Sequence, residues 1–358
     1  MKKIFFSLVA LAALAACSKS EIEYTDNMEL SLAPVTRLNT KAAVDGTDYP
    51  DALNMFVFAN AGLDGNDDNS TVDVAECTEP YFANAEFTHT GRTDITLNTN
   101  VFAGVTPYYW PNVKKLIFSG YSDSGNVRSL TPTYVYDGTT WEIVMEGYAP
   151  GAGTAVSGNN DLMWFPTTTS SYGKPTTAGE SVQVTMQHAC AWVTIKIKGD
   201  ETTGKDGTSW KIKNLSFTDL SQSGNVTLGT AADWTSIATG AEFDVFDRPN
   251  TDVADDADDP KPLTTEYVDY TQIDFKDLVI VPQATKTLYV TYEYVSQAGL
   301  APITETKPLE LTYNGGTGWE AGKHYTYNIT LGTAEILILP VLTDWVDVPD
   351  ADGTDKQI

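Results

Sequence analysis

Two neighbouring runs near the C-terminus limit most sharply how this chain can fold. From Tyr325 the residues alternate, with Tyr325, Tyr327, Ile329 and Leu331 on one side and Thr326, Asn328 and Thr330 on the other. That two-residue period is the mark of a strand with one buried face. The next run, Ile336-Leu337-Ile338-Leu339-Pro340-Val341-Leu342, has no polar side at all. A strand apolar on both faces calls for cover above and below. Either it is a central strand of its own domain, or it is a terminal strand that lies in a groove of another molecule. In the second case main-chain hydrogen bonds would give affinity and alternate side chains would fill pockets.

The rest of the chain also reads as strands. Leu53–Phe58, Lys115–Tyr121 and Leu288–Tyr294 are rich in β-branched and aromatic residues, and long helical periodicities are missing. Tyr134 to Ile143 reads as a hairpin turning at Asp137-Gly138. Asp161–Trp164 begins a short element, and Thr167–Glu180, rich in Ser, Thr, Gly and Pro, reads as a connection between domains. Val182 to Lys198 then opens the second half, with Val193, Ile195 and Ile197 inward. The fold class is all-β, and 358 residues suit two domains.

The N-terminus sets the compartment. Lys2-Lys3 precedes an apolar run, Ile4 to Ala13, too short to span a bilayer. Leu14-Ala15-Ala16-Cys17 resembles a bacterial lipobox, in which the cysteine thiol takes a lipid and becomes the new N-terminus. Several acyl chains on Cys17 would hold the protein to a membrane, since each buried methylene contributes about 0.8 kcal/mol. Beyond it, Met28 to Leu32 alternates like a short strand, and Arg37 and Lys41 lie in a polar connection. That connection is either an ordinary tether or a site for an Arg- or Lys-specific protease.

Acidic residues outnumber basic ones 48 to 22, a formal charge of -26, which excludes nucleic acid as a partner. Asp64, Asn66 and Asp68 imitate the start of a calcium loop, but Asn69 stands where the turn glycine belongs and no closing glutamate follows. The aspartates between Thr251 and Pro262 read as an acidic loop. With three histidines, His89, His188 and His324, no metal or nucleophile constellation forms. His188 and Cys190 would share a face on one strand, but two ligands make no zinc site. Export permits a disulfide between Cys77 and Cys190 without requiring one. Trp110, Trp141 and Trp164 are candidates for stacking on sugars or for the core. No metal, cofactor or catalytic residue is expected, and the chain is not read as an enzyme.

An ordered set of short motifs adds a resemblance. After the lipobox come Tyr109-Trp110-Pro111, Phe118-Ser119-Gly120-Tyr121, Asp161-Leu162-Met163, His188-Ala189-Cys190-Ala191 and Trp319-Glu320-Ala321-Gly322-Lys323-His324-Tyr325. Together they resemble the fimbrillins, the lipoprotein-derived pilins of type V pili. The resemblance implies two β-sandwich-like (transthyretin-like) domains in tandem, over 42–178 and 179–358, after a signal peptide (1–17) and a prosegment (18–41). It implies acylation at Cys17, loss of the Met28–Leu32 strand, and cleavage at Arg37 or at Lys41-Ala42, the latter better spaced from the Leu53 strand. Ile336, Leu337, Ile338, Leu339, Val341 and Leu342 would be the donor strand that fills the vacated groove of the next subunit. The implied protein is a structural pilus subunit at the outer membrane. Its partners would be copies of itself or related pilins, a host or bacterial surface ligand, and the membrane through the lipid. The alternatives are a tip adhesin or anchor of the same pilus, or a monomeric carbohydrate-binding surface lipoprotein.

Overall fold

Runs of Tyr, Val, Ile, Thr and Phe with a two-residue period have no helical stripe to bury, and they pair into sheets. The computed structural model describes residues 24–36, 54–63, 74–94, 100–111, 114–123, 130–150, 161–169, 171–174, 180–247, 263–271, 278–313, 316, 318–332 and 336–344. Along the first half run β1 (Tyr24–Glu29), β2 (Ser31–Thr36), β3 (Met55–Leu63), β4 (Glu79–Thr93), β5 (Asn100–Gly104), β6 (Tyr109–Pro111), β7 (Lys114–Asp123), β8 (Thr133–Tyr136), β9 (Trp141–Tyr148), β10 (Leu162–Phe165) and β11 (Val182–His188). The second half carries β12 (Ala191–Gly199), β13 (Ser209–Leu220), β14 (Gly224–Leu228), β15 (Ala232–Thr235), β16 (Ala241–Asp247), β17 (Val268–Asp269), β18 (Leu278–Ile280) and β19 (Gln283–Ala284). It ends with β20 (Thr287–Val295), β21 (Ile303–Glu310), β22 (Gly318–Trp319), β23 (Lys323–Leu331) and β24 (Ile336–Asp344).

The first-half strands close into a barrel in the order β10-β11-β2-β5-β4-β3-β7. Inside it Leu30, Leu32, Met55, Val57, Phe87, Phe102, Phe118, Phe165, Val184 and Met186 form one buried cluster. The Phe-Ser-Gly-Tyr stretch of β7 explains itself here. A Cβ on Gly120 would stand 2.5 Å from the Phe165 ring and 2.9 Å from the Phe56 carbonyl, so only glycine lets β10 lie against β7 at this point.

In the second half two sheets face each other, β17-β12-β23-β24 and β16-β13-β20-β21. Val193, Ile195, Ile197, Tyr325, Tyr327 and Ile329 from the first meet Ile212, Leu215, Phe217, Leu288 and Val290 from the second. This is a β-sandwich core with inward residues alternating along each strand. A further sheet, β15-β14-β9-β8, takes its strands from both halves and joins them by main-chain pairing such as Val226↔Met145. Beneath it Ile143, Met145, Leu162, Trp164, Cys190, Val226 and Leu228 make a junction core.

The run from Val182 to Lys198 does not open the second half as one strand. Its first part is β11, which pairs with β2 and β10 in the barrel, and the change of sheet falls between His188 and Ala191. The small residues Ala189, Cys190 and Ala191 let the alternation run through the bend unmarked. His188 and Cys190 therefore share no strand face. His188 Nδ1 bonds Asp161 Oδ2 at 2.5 Å, whereas Cys190 sits in the junction core. Cys77 and Cys190 are both buried, in separate clusters.

Candidate functional site

The segment Leu30–Thr36 is built into the barrel as an integral wall. β2 runs parallel to β11 through the pairs Leu32↔Val182 to Thr36↔Met186, and antiparallel to β5 through Ser31↔Ala103 and Leu32↔Phe102. Leu30, Leu32 and Ala33 are fully buried, Ser31 and Pro34 nearly so, and the backbone N–H of Leu30 donates to the Tyr108 carbonyl at 2.7 Å. Phe102, Val182, Val184 and Met186 on its neighbours share one buried cluster with Leu30 and Leu32. The expected strand Met28–Leu32 straddles two elements: Met28 and Glu29 end β1, while the buried strand follows Leu30 and runs on to Thr36. Ala33 and Pro34 belong to it, and a proline hides this because it argues against a strand interior. Cys17, Arg37, Lys41 and Ala42 lie outside the described residues, Arg37 being the residue that follows β2 in sequence.

The two-sided apolar run forms β24, and its cover is not the one expected. β24 is the last strand of its sheet, paired to β23 from Leu331↔Ile336 to Lys323↔Asp344, and among the described residues no strand pairs with its other edge. Ile336 and Ile338 pack against the sandwich core. Leu337, Leu339 and Val341 point the other way and are 49%, 62% and 47% exposed, and Leu342 near the end is 45% exposed. So among the described residues the run is neither central nor fully covered on both faces. A strand that exposes three aliphatic side chains beside an unpaired edge is a ready template for pairing with another chain.

β24 rests on β23, whose start is fixed by the Trp-x-x-Gly-Lys-x-Tyr stretch. Gly322 takes the left-handed turn (φ +69°) that brings β23 back from β22, and its N–H donates to the Cys190 carbonyl at 2.8 Å. The buried Trp319 indole donates to the Tyr327 hydroxyl at 2.9 Å, and the Glu320 N–H donates to the Tyr325 hydroxyl at 2.9 Å. Burial pushes the Tyr327 phenol up to about 12, and burial likewise raises Tyr325. These tyrosines therefore stay neutral and fix β23 as a rigid support. Trp192 stacks on His324 at 3.6 Å on the other face of the same strand pair.

The remaining candidates are structural where they are described. Trp110 and Trp164 are core residues at 1% and 3% exposure, and Trp141 is half-buried against Tyr134 and Tyr136. Among the described residues no three of His, Cys, Asp and Glu gather as a metal-binding group. Asp64, Asn66, Asp68 and the acidic stretch 251–262 fall outside the described residues.

The fold is shared with solved structures. A fimbrial protein from Bacteroides vulgatus superposes with a TM-score of 0.53 at 16% identity, over 89% of this chain and 99% of that one. A putative cell adhesion protein from Parabacteroides distasonis superposes with a TM-score of 0.51 at 12% identity, over 89% and 97%. Among curated proteins none matches the sequence. Residues 1–18 match the prokaryotic membrane lipoprotein lipid attachment site, making the chain a membrane-anchored lipoprotein. The fimbrillin-like family model matches residues 40–345, and the chain belongs to the fimbrillin-like family.

Proposed function

We propose that this protein is a structural subunit of a type V pilus, exported as a lipoprotein acylated at Cys17, carried to the outer-membrane surface and assembled by strand exchange. The observation that carries the reading is the pairing of two features in one chain. Leu30–Thr36 fills a barrel position directly upstream of Arg37 and Lys41, and β24 offers an apolar strand with an open edge. Cleavage at Lys41-Ala42 or Arg37 would release β1 and β2 together and open the groove between β5 and β11. The run Ile336–Leu342 of the next subunit would then enter it, and head-to-tail contacts of this kind build filaments.

The test uses soluble chain lacking Met1 to Cys17, treated briefly with trypsin. The expected result is cleavage at Arg37 or Lys41, followed by denaturant-resistant ladders that vanish when Glu335–Ile358 is deleted. A chain cut there that stays monomeric, or one that resists cutting, sinks the proposal.

A further inference from the structure

The strand in the groove and the strand proposed to replace it carry the same pattern. Leu30-Ser31-Leu32-Ala33-Pro34-Val35-Thr36 sets alternate aliphatic residues before Pro-Val, and Ile336-Leu337-Ile338-Leu339-Pro340-Val341-Leu342 does the same at the same spacing. Resting on the strand-exchange reading above, we propose that Pro340 sets the register of the incoming strand by taking the place of Pro34. Ile336 and Ile338 then replace Leu30 and Leu32 against the barrel core. Leu337, Leu339 and Val341 take the positions of Ser31, Ala33 and Val35, running parallel to β11 as β2 does.

The backbone of the groove dictates this register. The Leu30 N–H points to the Tyr108 carbonyl, on the side where β5 and β6 lie, and amide direction alternates along a strand. The nitrogens at 30, 32 and 34 thus face β5, and those at 31, 33 and 35 face β11. Pro34 keeps its place in the parallel ladder to β11 opposite Val184, while the pairs to β5 are Ser31↔Ala103 and Leu32↔Phe102, so a proline at position 34 breaks no pairing that this strand makes. A slip of one residue in either direction puts Pro340 at Ala33 or Val35, paired with Gln183 or Thr185 of β11, where a missing N–H breaks the parallel ladder. The same slip turns every inward side chain outward. A slip of two residues one way puts the proline opposite Phe102. A slip of two the other way puts Ala334 in the fully buried site of Leu30 and Glu335 in that of Ser31. Only one register meets neither penalty. In β24 itself Pro340 is harmless because its nitrogen can face the unpaired edge.

The test places a cysteine in the acceptor with Ala103→Cys, the partner of Ser31, and one in the donor with Ile336→Cys, Leu337→Cys or Ile338→Cys. Each pair is processed with trypsin and oxidised, with the uncut chain and Ala103→Cys alone as controls. The expected result is reductant-sensitive covalent ladders from Leu337→Cys at least tenfold above the other two. Adding Pro340→Ala should spread crosslinking to the neighbouring positions. Crosslinking led by position 336 or 338 overturns the register, and so do non-covalent ladders with no crosslink at 337. Crosslinks confined to 337 after Pro340→Ala show that the proline does not set it. If the unmodified chain forms no ladders at all, the strand-exchange reading itself fails and this inference goes with it.

Discussion

Leu339→Ala separates a structural edge strand from a donor strand, because the two roles place that side chain in opposite environments. In the folded chain Leu339 is 62% exposed, opposite Asn328 on β23. Fully burying a leucine contributes about 1.5–3 kcal/mol, so the mostly exposed side chain gives the uncut monomer no more than roughly 1 kcal/mol. In an acceptor groove covered on both faces, the same truncation costs about 2–5 kcal/mol. At about 1.4 kcal/mol per tenfold, that weakens each subunit contact by roughly 30-fold or more. Urea unfolding of the uncut chain and ladder length after processing measure the two numbers on one preparation. Ile329→Ala supplies the contrast, since Ile329 on the supporting strand is fully buried and its loss should lower the urea midpoint of the uncut chain. An uncut Leu339→Ala chain destabilised by more than about 2 kcal/mol would refute the argument, because that is the penalty of a core site. Ladders of unchanged length would refute it from the other side.

Three further outcomes follow from the same geometry. Leu32→Ala should lower the stability of the uncut chain by about 2–5 kcal/mol in urea, yet leave assembled ladders unchanged, since under the proposed processing the residue departs with the prosegment. A change in the assembled material would mean that the segment stays. Gly120→Ala should cost about 1–3 kcal/mol, read as a lower thermal midpoint, because the new methyl meets the Phe165 ring and the Phe56 carbonyl. A variant as stable as the parent contradicts the tight crossing of β7 and β10. Burial pushes Tyr134, Tyr292 and Tyr327 up to about 12, with the Glu305 carboxylate adding to the effect at Tyr292. A pKa raised in the fold above the ordinary value of about 10 gives stability that is whole below pH 10 and lost as pH climbs toward 12. Phenolate absorbance should therefore rise together with the loss of circular dichroism. Ordinary titration of all tyrosines with the sheets intact would rule out this burial.

Local alternation was enough to read β23, where Tyr325, Tyr327, Ile329 and Leu331 are all buried. It failed at Val182–Lys198, because Ala189-Cys190-Ala191 carries the pattern across a bend without a turn residue. The sheet that joins the halves left no mark either, since β9 and β14 pair across long sequence separation and each reads as an ordinary strand alone. For β24 the inference from pattern to environment held only in part. A run apolar on both faces calls for cover on both, yet Leu337, Leu339 and Val341 stand roughly half exposed on their outward face. Pro34 misled in the opposite sense, making a buried strand look shorter than it is.

The contrast between two edge strands of the sandwich argues that the exposed run is not a tolerated defect. β21 is also an edge, exposed along almost its whole length, and it carries the guards that edges usually carry. Pro308 removes a donor, and Glu305 and Lys307 pair at 2.9 Å across its surface. β24 has a proline but no charged residue from Ile336 to Thr343, and its outward positions are leucine, leucine and valine. A fold that can charge one edge can charge the other. Substituting Lys or Glu at Leu337 or Leu339 would meet no steric obstacle in the monomer, where both side chains stand in solvent. Keeping them aliphatic leaves the monomer open to association and gives it little stability in exchange. That choice makes physical sense when the strand has a second position to occupy, where both of its faces are covered.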